Sequence, residues 1–139
     1  PHDVHSTNLQ NRQSMNRILL PLMLLPLAGC EILEEDITNR QIEITAPTDG
    51  ARVAAGDVCF AWRGVEHASG YEFTIVSPSF EHAERIAADT VIYADSMSRN
   101  VRCTLSLDRG EYRWRVVPFN SAYTGTPITA TLHVTDPNE

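Results

Sequence analysis

Lysine is absent from this 139-residue chain: its eleven basic side chains are all arginine, outnumbered by eighteen Asp and Glu, for a formal net charge of −7. Nucleic-acid recognition needs clustered cations to displace phosphate counterions, so an acidic chain with no such cluster excludes that partner class. The exclusive use of arginine reads mainly as a bias towards GC-rich codons, and only secondarily as selection for forked, permanently charged donors. A membrane-crossing run is missing as well. The apolar run at residues 18–28 is eleven residues long and contains Pro21 and Pro26, against the ~20 residues a helix needs to cross a bilayer. What is present suits one small globular domain: 42% hydrophobic residues, with two Trp, four Tyr and four Phe to anchor a single core. A chain of this size leaves little room for multi-domain catalysis.

The first thirty residues read as an address. Residues 1–14 are polar and without hydrophobic period, as expected of upstream readthrough or a mis-set start. From Met15 the pattern changes: Arg17 supplies a positive region, residues 18–28 are apolar, and the small residues Ala28 and Gly29 precede Cys30. That order is a secretory signal over residues 15–29. The stretch Leu27, Ala28, Gly29, Cys30 resembles the bacterial lipobox, which implies cleavage before Cys30 and lipid attachment to its thiol. Two or more acyl chains give stable anchoring, so the resemblance implies a resident envelope protein. Glu31 stands where aspartate would signal inner-membrane retention, which favours the outer membrane. Residues 30–40 then read as an acidic, solvated tether that also resembles some surface-export signals.

From Gln41 the hydrophobic period is two, in short runs separated by Gly, Pro, Asp, Asn and Ser. Ile42 and Ile44 open a strand that stops at Pro47. Val58, Phe60 and Trp62 alternate through a second, and Tyr71, Phe73 and Ile75 through a third. The middle is ambiguous: residues 83–88 suit a helical turn, and residues 90–94 read as extended. Val101, Cys103, Leu105 and Leu107 alternate up to a turn at residues 108–110; Tyr112, Trp114 and Val116 follow, and Ala130, Leu132 and Val134 close the domain. The expectation is an all-β, seven-stranded antiparallel sandwich over residues 41–137.

The order "APTDG", "VCFAW", "ASGYEFTIV", "LSLDRGEYRWRVVPFNS" and "ATLHV" resembles bacterial fibronectin type III domains, an immunoglobulin-like sandwich, across roughly residues 42–135. The resemblance implies that Trp62 is the sandwich tryptophan and that Leu107, Gly110 and Tyr112 surround the turn into the sixth strand. The interval from Leu107 to Tyr112 is one residue shorter than the family's commonest form, so the tyrosine-corner hydrogen bond is expected to differ. These are structural positions and transfer no activity.

With Cys30 assigned to lipid, Cys59 and Cys103 remain, in a compartment that permits disulfides. In the fibronectin topology their strands are neighbours, and a bridge would close a loop of about 45 residues, worth up to ~4 kcal/mol. Strand parity points the two thiols to opposite faces unless a bulge realigns them. Bridged and free forms both stay open.

No group of side chains makes a recognisable catalytic or metal site, and no cofactor is implied. Glu66 with His67, Glu81 with His82 and Glu84, and Asp89 with Asp95 are the acid–base candidates, and metal binding would need three or four of them to converge. His133 reads as solvent-facing. The better candidates for recognition are two connections at the end of the sandwich: residues 63–70, with Glu66 and His67, and residues 119–126, with Asn120 and an exposed Tyr123. Arg113 and Arg115 point outward, either as a face for an acidic partner or paired with carboxylates such as Glu72. The function expected is a lipid-anchored, non-catalytic module that binds or assembles with another envelope protein or a glycan. The alternatives are a small hydrolase or metal-dependent enzyme built on Glu66 and His67, and a structural spacer.

Overall fold

The computed structural model describes residues 33–93 and 99–138. The signal segment, Cys30 and Asp95 lie outside the described residues. The described chain contains no helix and eight strands: β1 (Glu43–Ala46), β2 (Ala51–Ala54), β3 (Gly56–Arg63), β4 (Gly70–Ser77), β5 (Arg85–Tyr93), β6 (Asn100–Leu107), β7 (Gly110–Phe119) and β8 (Ile128–Thr135). Two sheets form a sandwich-like arrangement, one in the order β1-β3-β6 and the other in the order β2-β8-β7-β4-β5.

Three expectations need correction here. The strands number eight, not seven, because β2 has only four residues and too short an alternation to stand out. Nor is the sandwich wholly antiparallel: β2 runs parallel to β8, with Ala51 opposite Leu132 and Ala54 opposite Thr135. The chain crosses from one sheet to the other at residues 47–50 without reversing, so β2 runs beside β8 in the same sense, as Gln41 already does beside Thr126. The helical turn at residues 83–88 is absent, and β5 pairs with β4 from Ser77↔Arg85 to Gly70↔Tyr93.

The core follows from alternation. Phe60 and Trp62 of β3 face Tyr71 and Phe73 of β4 and Trp114 of β7, all of them buried. Phe60 meets the Trp114 ring edge-on at 4.9 Å between centroids and Phe73 at 5.2 Å, and Trp62 meets Tyr71 at 5.6 Å. Edge-to-face contacts of this kind add about 0.5–1.5 kcal/mol each beyond the area they bury. Among the described residues the buried indole N–H groups of Trp62 and Trp114 meet no acceptor.

At the turn into β7 the shortened interval still closes the corner. The Tyr112 hydroxyl donates to the Asp108 carbonyl at 2.8 Å and accepts from Arg85 Nη2 at 2.8 Å. On the outer face of the five-stranded sheet, Arg115 lies over the Phe80 ring at 4.4 Å and Arg113 approaches Glu81 at 3.9 Å. The β4–β5 connection therefore folds over this face and engages the two arginines, rather than Glu72.

Gly70 is required where it stands. A side chain there would bring a Cβ within 2.8 Å of Phe119 Cζ, and Phe119 in turn meets Tyr93 edge-on at 6.2 Å. The aromatic ring thus covers a glycine on the neighbouring strand, which restores the packing that the missing side chain forfeits.

Candidate functional site

β3 and β7 both end at one pole of the sandwich, so the connections at residues 64–69 and 120–127 emerge side by side. The first is held rigidly. Val65 and Ala68 are buried, the Val65 N–H donates to the Tyr71 hydroxyl at 2.7 Å, and the Ser69 N–H donates to the Phe119 carbonyl at 2.8 Å. Burial pushes the Tyr71 phenol above its ordinary pKa, so it stays neutral. His67 adopts a left-handed φ of 71°, a conformation histidine enters more readily than most residues.

Asn120 joins this connection to two other segments. Its Nδ2 donates to the Glu35 carbonyl at 3.0 Å and the His67 carbonyl at 3.2 Å, while its Oδ1 accepts from the Ala122 and Tyr123 N–H groups at 3.0 and 2.8 Å. Asn120 is buried, with its hydrogen-bonding capacity met inside the protein. The sequence offered it as a binding-loop contact; its role here is to fasten the pole together. Tyr123, expected to be exposed, is partly buried against the core.

The segment before β1 is fastened at the same place. The backbone N–H and the hydroxyl of Ser121 both donate to Glu34 Oε1, at 3.1 and 2.7 Å. The Thr126 hydroxyl donates to the Thr38 carbonyl at 2.8 Å and its N–H to the Arg40 carbonyl at 3.2 Å. Ile37 is fully buried in the core. Gly125 permits the approach: a Cβ there would meet Pro118 Cγ at 2.6 Å and the Ile37 carbonyl at 3.0 Å. The acidic stretch is therefore not a solvated tether over its second half, and the compact unit begins at Glu34 rather than at Gln41. Hydrogen bonds from Ser121 hold the Glu34 carboxyl below its ordinary pKa, and those from Thr38 do the same for Asp36.

A cleft of about 300 Å³ lies between this segment and the β3–β4 connection, lined by Arg40, Glu43, Arg63 and Glu66 among others. Glu66 Oε1 and His67 Nε2 lie 3.5 Å apart, both side chains exposed. Among the described residues no group of three or more His, Cys, Asp or Glu converges. His82, Glu81 and Glu84 lie on the exposed β4–β5 connection, and Asp89 is engaged by the Thr74 hydroxyl at 3.4 Å. His133, expected to be free in solvent, is bonded to Glu111 across β7 and β8.

Among the described residues Cys59 and Cys103 are not bridged to each other. Cys103 lies opposite the inward Phe60, and Cys59 lies opposite Thr104 on the outer face, in a β3–β6 register that runs without a bulge. Parity therefore keeps the thiols on opposite sides of the sheet. Burial, with a smaller contribution from nearby Cys59, pushes the Cys103 thiol pKa up.

Two features escaped the sequence reading. β5 ends its sheet, with β4 its only partner among the described residues. It carries three of the exposed large hydrophobic side chains: Ile86 at 62%, Val91 at 40% and Tyr93 at 76% exposure. The other feature is that Arg40 and Arg63, 23 positions apart in sequence (63 − 40), line one cleft. No known family model matches the chain, and no curated protein matches it closely enough to be a relative.

Proposed function

We propose that this chain is the precursor of a bacterial envelope lipoprotein, cut before Cys30 and held there by lipid, whose sandwich is a fibronectin type III-like, non-catalytic module that binds another envelope protein. Glu31 after the lipid-bearing cysteine directs it to the outer membrane. The fibronectin-like reading draws support from the three-on-five strand arrangement, from Trp62 packed between the sheets, and from the Tyr112 bond back to Asp108.

The observation that carries the binding role is β5. A nine-residue edge strand presents a row of backbone donors and acceptors, and here it also exposes Ile86, Val91 and Tyr93. Soluble proteins blunt such edges with charge or proline. β5 carries Arg85 and Asp89, but it also offers apolar side chains beside a hydrogen-bonding edge, the pairing that strand addition by a partner uses. That combination favours a protein partner over a glycan.

Two measurements test the reading. The mass of the mature N-terminal peptide should show an acylated Cys30, and Cys30→Ser should release the protein from membranes. A photo-crosslinker at Asp89 should trap one discrete envelope protein in intact cells, and Ile86→Glu with Tyr93→Glu should abolish that adduct without unfolding the domain. Adducts unchanged by the double substitution would overturn the binding role.

A further inference from the structure

We propose that the pole built from residues 34–41, the β3–β4 connection and the β7–β8 connection rests on the lipid headgroups of the bilayer that holds Cys30, with Arg40 and Arg63 facing headgroup phosphates. The inference rests on the lipid-anchor reading above and adds to it an orientation and a contact surface.

Chain length limits the choice. Only Glu31, Ile32 and Leu33 separate Cys30 from Glu34, and four Cα steps span at most about 14 Å. Were residues 34–40 a solvated tether, the reach from Cys30 to Gln41 would be about 40 Å, enough for the sandwich to tumble above the surface. Asn120, Ser121 and Thr126 remove that slack by fastening residues 34–41 to the domain. The anchor thus enters at this pole and must keep it close.

Side-chain chemistry agrees with the leash. Leu33, at 87% exposure, is an apolar residue left in solvent at the point where the segment meets the domain, a place that suits the interfacial zone of a bilayer. Of the acidic groups nearby, Glu34 is engaged by Ser121 and Asp36 by Thr38, Glu66 lies beside His67, and Glu43 stands opposite Arg63 across β1 and β3, while the Glu35 carboxylate is exposed. Arg40 and Arg63 are exposed, and among the described residues neither lies in an ion pair. Guanidinium groups match phosphate with forked hydrogen bonds. The end of β8, with residues 136–138, lies at the opposite pole, about 30 Å away along strands of eight to ten residues.

The orientation is testable on the lipidated full chain in vesicles of phosphatidylethanolamine and phosphatidylglycerol with a headgroup-bound acceptor dye. In a Cys59→Ser background, a donor dye is placed at Ala122→Cys on the proposed contact pole or at Asn138→Cys on the far one. Energy transfer should be several-fold greater from position 122 than from position 138, and Arg40→Gln with Arg63→Gln should reduce the transfer from position 122. Equal transfer from the two positions would overturn the orientation, and indifference to the arginine substitutions would overturn the phosphate contact. Failure of the anchor reading looks different: neither labelled protein would float with the vesicles, and the Cys30 peptide would carry no acyl mass.

Discussion

Replacing Asn120 by alanine should loosen the pole more than any other single polar change there. The substitution removes two donations, to Glu35 and His67, and two acceptances, from Ala122 and Tyr123. A neutral hydrogen bond contributes about 0.5–1.5 kcal/mol net, and partners left buried without a bond add to the loss, while water can reach those nearest the surface. The expected destabilisation is therefore about 3 kcal/mol, which lowers the melting temperature of a domain this size by about 10–20 °C. Urea unfolding measures it as a shift in midpoint at unchanged slope. Native-state hydrogen exchange supplies the local readout, because the Arg40 and Thr126 amides, bonded to Ile37 and Arg40 carbonyls, should exchange faster than the core of β7. Asn120→Asp is the discriminating control: it keeps the acceptor for the Ala122 and Tyr123 amides but loses the donor and turns an oxygen towards two carbonyls. It should be nearly as damaging as alanine. A loss within about 0.5 kcal/mol for Asn120→Ala, the range of an ordinary surface change, would refute the idea that this residue fastens the segment. A harmless Asn120→Asp would confine its role to the turn at residues 120–123.

Gly70→Ala should destabilise by about 1–3 kcal/mol through overpacking against Phe119, and Phe119→Leu in the same chain should recover part of that loss in a double-mutant cycle. Tyr112→Phe should cost about 1–3 kcal/mol by chemical denaturation, since it leaves the Asp108 carbonyl and Arg85 without the shared hydroxyl. In the folded protein Cys59 should alkylate readily at neutral pH, whereas Cys103, half-buried and with its thiol pKa raised, should react fully only after denaturation; equal rates would contradict the placement of the two thiols. Glu34 and Asp36 have folded-state pKa values lowered from the ordinary 4.5 and 3.8, so their hydrogen bonds are at full strength above those ordinary values and are lost as pH falls through the lower folded-state ones. Amide exchange at Thr38 and Ser121, whose N–H groups donate to these carboxylates, should report that loss, and Glu34→Gln should remove the Ser121 part of the dependence.

Strands buried on one face announce themselves, and those lacking such a face do not. In β3 and β7 every second residue is buried, at Val58, Phe60 and Trp62 and at Tyr112, Trp114 and Val116, and that apolar spacing alone marks them. β5 fails that test for a physical reason. It is packed on one side only, with a register shift opposite Ile75 and Val76, and its residues are mostly exposed or half-exposed without period. Preceded by Glu81, Ala83 and Glu84, and containing Ala87 and Ala88, it has a local composition that favours helix. The backbone of β4 decides the outcome by supplying a ladder of partners, which local propensity cannot foresee.

The same distinction explains the exchange of roles at the pole. Asn, Ser, Tyr and Gly in a connection are the residues of adaptable recognition surfaces and equally the residues of tight turns. What separates the two uses is whether their hydrogen bonds are already met. Asn120 and Ser121 meet theirs on His67, Glu35 and Glu34, partners as many as 87 positions away in sequence, and Gly125 is where the first segment passes over the connection. A loop whose polar groups are consumed internally has little left to offer a ligand. The groups left over are those that alternation and motif both pass by: two arginines from separate segments that line one cleft, and an edge strand that leaves Ile86, Val91 and Tyr93 exposed. If the bilayer lies against that pole, it comes near the Tyr93 end of β5, opposite Gly70, and the Ile86 end, opposite Val76, is the part left free for a neighbouring envelope protein to add a strand.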